Sequence, residues 1–446
     1  MKVLLISANT LTTPYPVYPL GLDHVADALW ADHEVRIADI NALGDVEPLI
    51  HIIHSFAPDV VGMSLRNIDN TDQQSFVAGY RHLVDVIRKA TQATLVLGGS
   101  GFTLFPDEMM DALGADYGII GEGERLADLL ASMDKEAPTT GIPGVVTAKE
   151  PKPIPPPLMG PHGRKHLLQT PHLQYYLKNG GMLNLQTKRG CPFRCIYCTY
   201  PHIEGRKLRL ISPDAAAEDA LRLQKVGAKY FFVTDSVFNS DTDHSMAVAE
   251  AFIDAGVKIP WGAFFAPMAS PKGYFELMAR AGLTHAEFGT EAMCNAMLKN
   301  YGKPFRTTDV YKAHKAAIDS GLYVSHFFLL GGPGENGDSI DETLNNIENL
   351  KQSVFFFFPA LRIYPHTDLY DMAVAEGQIS TITSLLEPCF YSSQKISRDE
   401  ILERLEAHAK KRPNWVIGSG GDATAGIVAR LYERGHSGPL WEYLIP

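Results

Sequence analysis

The stretch Cys191-Pro-Phe-Arg-Cys195-Ile-Tyr-Cys198 places three cysteines at the spacing C-x3-C-x2-C. Three thiolates on one short loop can bind three of the irons of a [4Fe–4S] cube, in which each iron takes one protein ligand. The fourth iron then keeps an open coordination position, which distinguishes a catalytic metal site from a closed structural one. The sequence therefore predicts an iron–sulfur cluster with Cys191, Cys195 and Cys198 as its ligands.

Two other interpretations of these cysteines are less well supported. A zinc site that adds His202, four residues after Cys198, lacks the two separated ligand pairs of most structural zinc sites. Disulfide bonds are disfavoured because the chain has five cysteines, an odd number, and because its first residues are typical of a strand rather than a signal peptide. These features predict a reducing, cytoplasmic setting.

The cysteine loop resembles the signature of radical S-adenosylmethionine (SAM) enzymes, in which the open iron chelates the amino and carboxylate groups of SAM. In that family the residue before the last cysteine is aromatic and lies near the adenine. The stretch 287–291, Glu-Phe-Gly-Thr-Glu, is similar to a strand of the family whose glutamate binds the ribose hydroxyls, as a carboxylate can. Here Ala292 stands where the family has a serine. The resemblance implies SAM-binding roles for five residues: Tyr197, Asp235, Thr290, Glu291 and Ser325.

Two later stretches resemble the cobalamin-dependent branch of this family. One is the turn Gly-Gly-Pro-Gly-Glu at 331–335, and the other is Arg-Ile-Tyr-Pro-His-Thr at 362–367, in which His366 replaces the usual glycine. His326 and His366 are candidates for proton transfer. A core histidine and a surface loop residue are the plainer interpretations of the two, so no catalytic residue is assigned.

The first part of the chain, residues 1–137, alternates short apolar strands with amphipathic helices. This pattern predicts a doubly wound, Rossmann-like parallel sheet, which binds ligands beyond the carboxyl ends of its strands. Small and polar residues follow three of the strands. This arrangement resembles that of the cobalamin-binding domain in cobalamin-dependent radical SAM enzymes. The resemblance implies that cobalamin is bound by Ser64, Leu65, Arg66, Asn67, Gly98, Gly99, Ser100, Gly121, Glu122 and Gly123.

This region departs from many cobalamin domains in one respect. It lacks the Asp-x-His-x-x-Gly sequence that supplies a lower axial histidine to cobalt in those domains. Arg66 is then the nearest candidate to face the cobalt, where a cation would disfavour a sixth ligand. Pairing of Arg66 with Asp69 or with a corrin amide is the structural alternative.

The rest of the chain and its composition complete the expected organisation. Prolines accumulate over 138–180 and predict a linker. Repeated β-α units over 181–380 predict a parallel barrel, for which the family uses a partial (β/α)6 form. Residues 381–446 are expected to form a helical cap.

An apolar content of 45% with no transmembrane segment is typical of a soluble protein. A net charge of −11 without a basic patch argues against nucleic acid as a partner.

The resemblance implies a cobalamin-dependent radical SAM enzyme, with C-methylation of an unactivated carbon as the expected reaction. Its cofactors would be a [4Fe–4S] cluster, SAM and cobalamin, its substrate a small molecule or lipid, and its reductant an external protein such as a flavodoxin or ferredoxin. Cyclisation or rearrangement without methyl transfer, and non-radical methylation of a polar carbon, are alternatives. A methylthiotransferase acting on tRNA is set aside, because the chain lacks the second set of three cysteines and the basic module of such enzymes. A non-catalytic corrinoid or iron–sulfur carrier belongs to a different class, and it would favour four cysteine ligands.

Overall fold

The computed structural model describes residues 1–12, 15–66, 76–147, 164, 171–418 and 421–446, and for 421–425 it describes the backbone only. The chain divides into two compact units. The first contains Met1–Asn179 with the short segments His202–Gly205 and Leu386–Pro388, and the second contains Gly180–Pro201, Arg206–Leu385 and Cys389–Pro446. Among the described residues, no helix combines the length and apolar character that a membrane crossing requires.

Within the described part of the first unit, six strands form one sheet in the order β2-β1-β3-β4-β5-β6, parallel except for β6. The strands are β1 (Lys2–Ser7), β2 (Glu34–Asp39), β3 (Val60–Ser64), β4 (Thr94–Gly98), β5 (Tyr117–Ile119) and β6 (Val145–Thr147). The order reverses between β1 and β3, and open α/β sheets bind ligands at such a reversal. The predicted doubly wound sheet is confirmed.

Helices cover both faces of this sheet, which explains why its strands are apolar along their whole length. They are α1 (Leu20–Leu29), α2 (Ile40–Leu43), α3 (Glu47–Phe56), α4 (Val77–Ala90), α5 (Ser100–Leu104), α6 (Pro106–Leu113), α7 (Leu126–Asp134) and α8 (Leu173–Lys178). Helices α1 and α7 bury Leu22, Val25 and Leu129 in one core with the central strands. The sheet extends past residue 137, the predicted end of this domain, because β6 pairs with β5. Much of the predicted linker lies outside the described residues.

In the described part of the second unit, seven strands form a parallel sheet in the order β17-β14-β13-β12-β11-β10-β7. They are β7 (Met182–Leu185), β10 (Tyr230–Val233), β11 (Trp261–Phe265), β12 (Leu283–Glu291), β13 (Tyr323–Leu329), β14 (Ser353–Phe358) and β17 (Trp415–Ile417). Two short antiparallel pairs accompany the sheet: β8 (Lys188–Arg189) with β9 (Arg209–Leu210), and β15 (Leu361–Arg362) with β16 (Phe390–Tyr391).

The helices that follow these strands agree with the predicted partial barrel. They are α9 (Tyr200–Ile203), α10 (Pro213–Lys225), α11 (Thr242–Ala255), α12 (Tyr274–Arg280), α13 (Asn295–Asn300), α14 (Thr307–Asp319), α15 (Gly337–Ile347), α16 (Asp368–Ala375), α17 (Arg398–Ala409) and α18 (Gly421–Glu433). The C-terminal region is largely helical, as expected, but it also supplies β17 at the sheet edge beside β14.

The largely apolar run over 355–363 has the pattern of one continuous strand, but the structure divides it between two ladders. Strand β14 ends at Phe358, and β15 belongs to a different ladder. Pro359 lies between the two strands and has no N–H to donate, so it cannot continue the ladder of β14.

Side chains alternate between the two faces of the barrel strands. Trp261 and Phe265 of β11 contact Phe252 of α11 and Phe275 of α12, so their face is the one that the helices cover. Phe264 therefore points to the opposite, inner face, where it remains 39% exposed. The inner face carries a row of phenylalanine rings in mutual contact: Phe232, Phe264, Phe327, Phe356 and Phe358.

Candidate active site

The cysteine loop is held by backbone hydrogen bonds from two other segments. The N–H of Ile196 donates to the carbonyl of Tyr301 at 3.2 Å, and the N–H of Leu369 donates to the carbonyl of Ile196 at 2.9 Å. The pKa of Cys198 is raised to about 12. Burial is the main cause, and the neighbouring thiols of Cys195 and Cys191 contribute to the same rise. The three thiols therefore lie close enough to repel one another as anions. Iron would stabilise them as thiolates, so the loop fits a cluster.

The zinc alternative finds no support in the part of the chain that the structure describes. No group of three or more His, Cys, Asp and Glu side chains in that part is arranged around a single metal ion. Zinc needs its ligands at about 2.0–2.3 Å from one point, whereas a four-iron cube attaches each cysteine to a different iron.

Asp235 anchors the segment that enters the cysteine loop. Its carboxylate accepts hydrogen bonds from the N–H and the hydroxyl of Thr187, at 2.7 and 2.5 Å, and from the N–H and Nζ of Lys188, at 3.2 and 2.8 Å. Lys188 and Asp235 form an ion pair whose side chains are 1% and 0% exposed. These contacts occupy the carboxylate, so they favour a structural role for Asp235 over the predicted SAM contact.

A β-bulge directs Glu291 at the end of β12. The pairing of β12 with β13 shifts register between Gly289 and Glu291, so Thr290 is an extra residue in the ladder. Glu291 has a φ of 58°, in the left-handed region that side-chain-bearing residues seldom adopt. The N–H of Ala292 bonds to the carbonyl of Thr290 at 2.8 Å and closes a three-residue turn around Glu291. Strained backbone of this kind is concentrated at functional sites.

The Glu291 carboxylate lies beside a cation and Tyr197. Lys303 Nζ is 2.6 Å from Glu291 Oε2. The ammonium and the carboxylate form an ion pair that is largely shielded from solvent. Burial raises the pKa of Tyr197 well above its usual value, and the charge of Glu291 raises it further. A carboxylate offers about four acceptor positions, so Glu291 can accept from a ribose hydroxyl while it contacts Lys303, and it fits its predicted role.

Thr290 and His326 point away from this carboxylate. The Thr290 hydroxyl is 2.8 Å from Nδ1 of His326, whose Nε2 is 3.1 Å from Nδ1 of His314 on α14. These contacts place both side chains between the sheet and α14. Burial lowers the pKa of His326 well below its usual value, and the neighbouring His314 lowers it further, so His326 is neutral. The contacts favour the core interpretation of His326 and offer no support for a catalytic role or for SAM binding by Thr290.

Ser325 lies on the opposite face of β13 from His326. It is fully buried, and within the described residues its hydroxyl has no hydrogen-bond partner. It pairs in register with Glu287, which accepts a 2.9 Å hydrogen bond from Nε1 of Trp441. Ser325 therefore keeps a hydrogen-bonding group free on the inner face, which is compatible with the ligand contact predicted for it.

The Gly-Gly-Pro-Gly-Glu turn supports the cysteine loop through Tyr301. Glu335 is fully buried and accepts hydrogen bonds from the hydroxyls of Tyr301, at 3.2 Å, and Ser339, at 2.6 Å. A side chain at Gly332 would collide with the Tyr301 ring. That ring meets the Tyr197 ring edge to face, with centroids 6.1 Å apart. The turn thus fixes the position of the aromatic residue predicted to lie near adenine.

His366, which replaces the family's glycine, has a φ of 63° and is exposed. Glycine adopts this conformation without strain, which accounts for its use at this position in relatives. The exposed setting agrees with the surface-loop interpretation of His366.

The predicted cobalamin residues follow β3, β4 and β5 at the carboxyl edge of the first sheet. The N–H of Leu65 donates to the carbonyl of Gly98, and the N–H of Gly101 donates to the carbonyl of Leu65, both at 2.8 Å. The Thr103 hydroxyl bonds to the carbonyl of Gly99 and accepts from the N–H of Gly121. Hydrogen bonds therefore join the three loops. Ser100 is the first residue of α5, Glu122 lies in the loop after β5, and Gly123 begins the 3₁₀ turn that follows it.

Two predicted residues of this edge, Leu65 and Arg66, differ in exposure. Leu65 is fully buried, so its side chain belongs to the core and only its backbone can line a ligand site. Arg66 is exposed, which leaves it free to face a ligand. Asn67 lies outside the described residues.

Gly99 allows the loop after β3 to pack closely against the start of α5. Its φ is 95°, and a Cβ there would lie 2.7 Å from the carbonyl oxygen of Leu65 and 3.0 Å from the hydroxyl of Ser64. Gly99 therefore keeps the loops after β3 and β4 in contact at the carboxyl edge, where open α/β sheets bind their ligands.

Gly99→Ala should lower the cobalamin bound per purified chain at least about tenfold, because the new methyl group would displace the loop after β3. Gly114→Ala is the matched control: Gly114 also has a positive φ, 59°, but a Cβ added there would have nothing within 4 Å. Absorbance of the purified proteins measures the bound cobalamin. Equal cobalamin in both variants would contradict the assignment of this edge.

Comparison with known proteins agrees with this arrangement. A family model for the B12 binding domain matches residues 6–131, and one for the Radical SAM superfamily matches residues 185–347. The chain belongs to the cobalamin-dependent radical SAM enzymes, as the resemblance implied. Its radical SAM domain implies a [4Fe–4S] cluster and SAM, and its B12 domain implies cobalamin.

Relatives that match most of this chain include methyltransferases that act on small molecules. The chain is 26% identical to the cytidylyl-2-hydroxyethylphosphonate methyltransferase of Streptomyces wedmorensis, over 85% of this chain and 86% of the relative. It is 24% identical to the tryptophan 2-C-methyltransferase of Streptomyces laurentii, over 82% of this chain and 73% of the relative. Its fold matches the radical SAM methyltransferase TsrM of Kitasatospora setae, solved with tryptophan and a SAM analogue, with a TM-score of 0.88, 21% identity and coverage of 99% and 97%.

Proposed function

We propose that this enzyme is a C-methyltransferase that moves a methyl group from SAM, by way of cobalamin, to a carbon atom of a small-molecule substrate. The observation that carries the proposal is the presence, in one chain, of a glycine-lined sheet edge that fits cobalamin and a three-cysteine loop beside Glu291. The names of the relatives support the same reaction, since two of them are methyltransferases that match most of this chain.

The chain's own residues hold and orient the cofactors. When bound, the cluster supplies an electron to SAM and cobalamin carries the methyl group. Cys191, Cys195 and Cys198 would hold the irons, Glu291 would accept from the ribose hydroxyls of SAM, and Tyr197 would contribute to the adenine site. The rigid support of Tyr197 by Tyr301 keeps this arrangement in place before SAM arrives, which lowers the entropic cost of binding.

The inner face of the barrel is suited to exclude water from a reactive intermediate. Phe327 stacks on Phe356 with a centroid distance of 4.9 Å, and both belong to the row of inner-face phenylalanines. Phe355 and Phe357 of the same strand point the other way, towards Trp415. Two of the four phenylalanines at 355–358 therefore line the inner face, and the other two belong to the core. Apolar walls of this kind favour a substrate with an apolar or aromatic portion.

We expect an external one-electron donor such as a flavodoxin or ferredoxin. Beyond the cysteine loop the chain has Cys294 and Cys389. Two cysteines are too few to ligate a second four-iron cluster by thiolates alone. Electrons must then reach the site from another protein.

The test is anaerobic purification with hydroxocobalamin supplied, reconstitution with iron and sulfide, and incubation with SAM and a low-potential reductant. Bound cobalamin with formation of S-adenosylhomocysteine or methylcobalamin would support methyl transfer. Formation of 5'-deoxyadenosine alone would favour the cyclisation or rearrangement alternative. A protein that holds both cofactors but never consumes SAM would favour the carrier.

Glu291→Gln should raise the Kd for SAM of the reconstituted protein by about 10–100-fold, because a charged acceptor for the ribose is replaced by a neutral one. Iron content should stay at the wild-type level. The exposed Glu276→Gln of α12 is the control and should bind SAM normally. Unchanged SAM affinity in Glu291→Gln would remove Glu291 from the SAM site.

A further inference from the structure

Lys303 reaches the cysteine loop from a tight helix end. After α13, the N–H of Gly302 bonds to the carbonyl of Lys299 at 3.1 Å, and the N–H of Lys303 bonds to the carbonyl of Leu298 at 2.9 Å. These two bonds define a Schellman turn with glycine in the left-handed conformation. A side chain at Gly302 would collide with the carbonyl oxygen of Arg194 in the cysteine loop. Backbone packing therefore fixes the origin of the Lys303 side chain.

The Lys303 ammonium lies in an enclosed setting. Its side chain is 8% exposed, and the carboxylate of Glu291 that it contacts at 2.6 Å is 11% exposed. The ammonium is 5.4 Å from the ring centre of Tyr197 and 5.8 Å from that of Phe305, both distances typical of cation–π contacts. It also lies near enough to Cys195 for the two charges to interact. Lys303 thus touches three groups of the cofactor site.

The charges around the cluster site explain why a cation is needed there. Three cysteine thiolates and the carboxylate of Glu291 would gather in one poorly solvated region, and unpaired buried charge is strongly unfavourable. Lys188, a buried cation shortly before the loop in sequence, is already paired with Asp235, whereas Lys303 contacts Glu291 directly. Lys303 is therefore placed to offset the negative charge of the cluster ligands and Glu291.

We propose that Lys303 is a positioning residue that aims the Glu291 carboxylate at the cysteine loop and raises the reduction potential of the cluster. The proposal rests on the proposed function, since it requires a cluster on the three cysteines. Reduction adds negative charge, so a nearby cation favours the reduced cluster, whereas an uncompensated carboxylate disfavours it. The intact Lys303–Glu291 pair is neutral overall, so it changes the reduction potential little. Loss of Lys303 alone should lower the potential, and loss of Glu291 alone should raise it.

The test is a potentiometric titration of the reconstituted, SAM-free protein, followed by electron paramagnetic resonance of the reduced cluster. In Lys303→Met the ratio of reduced to oxidised cluster at a fixed solution potential should fall at least about tenfold, a shift of about 59 mV for one electron. Lys303→Arg keeps the charge and should stay within about threefold of the wild-type ratio. The exposed Lys299→Met of α13 is the control and should match the wild type.

The double variant Lys303→Met/Glu291→Gln separates charge from structural damage. It leaves neither Lys303 nor Glu291 as an unpaired buried charge, so it should fold and take up iron. Its ratio of reduced to oxidised cluster should return to within about threefold of the wild-type value. A double variant as hard to reduce as Lys303→Met, or a fully loaded Lys303→Met with the wild-type potential, would overturn the proposal. Failure of the wild-type protein to form a cluster would instead overturn the proposed function, so the two failures are distinguishable.

Discussion

Asp235→Asn should destabilise the second unit by about 3–5 kcal/mol, the usual cost of removing one partner of a buried ion pair. The substitution preserves shape but removes the charge that compensates Lys188. Its amide group would also direct N–H donors towards the donors of Lys188 or Thr187. Because Thr187 and Lys188 lead directly into the cysteine loop, the variant should also bind less iron after reconstitution.

Urea unfolding monitored by tryptophan fluorescence measures this effect, since Trp261, Trp415 and Trp441 lie in the second unit. The exposed Asp254→Asn at the end of α11 is the control and should change stability by less than about 0.5 kcal/mol. The double variant Lys188→Met/Asp235→Asn should be more stable than Asp235→Asn, because it leaves no unpaired ammonium in the core. A double variant less stable than the single one would show that the charges are not the cause.

Glu287→Gln should stabilise the protein above neutral pH by about 3 kcal/mol relative to wild type, and by much less near pH 5. Burial raises the pKa of Glu287 to about 7, with Glu442 raising it further and the hydrogen bond from Trp441 opposing the rise. The unfolded chain ionises near the ordinary value of about 4.3. Between these values the folded state holds a proton that the unfolded state has lost, so wild-type stability falls as pH rises from about 4.3 to 7.

Urea unfolding of both proteins at pH 5.5 and pH 8 provides the comparison. His285, whose Nε2 is 3.0 Å from Glu442, is present in both proteins, so it does not account for a difference between them. The exposed Glu250→Gln of α11 should show no pH-dependent difference from wild type. The same difference for Glu287→Gln at both pH values would mean that Glu287 is ionised in the folded protein throughout this range.

Local sequence patterns predicted those parts of the fold that depend on local apolar periodicity. The apolar pattern indicates strand β11 with its observed bounds and the helices α10, α12, α14 and α15 within a few residues, whereas α11 begins earlier than its pattern suggests and the short α13 gives no clear signal. Strand β17 was missed because three residues carry too little periodicity, and its conformation depends on pairing with β14. Pro359 could have indicated the end of β14, since proline cannot continue a ladder.

The residues of the candidate site also fall into two groups, those that stand in sequence motifs and those that only the folded chain identifies. The three cysteines, Tyr197 and Glu291 stand in recognisable motifs, and the sequence identified them as candidates. Lys303 was missed because it belongs to no motif, and its contact with Glu291 arises from a turn whose only sequence signal is the glycine after α13. For Asp235 the sequence indicated a polar residue at a strand end, but only the folded chain shows that Thr187 and Lys188 occupy its oxygens.

The extra residue in β12 also constrains how this gene can change. Thr290 and Glu291 owe their orientations to the number of residues in the strand as well as to their identities, because the bulge offsets the pairing with β13 by one. Loss or gain of one codon here would restore or double the offset and turn Glu291 away from Lys303. Over evolutionary time this strand should therefore tolerate exchanges of similar side chains while rejecting insertions and deletions.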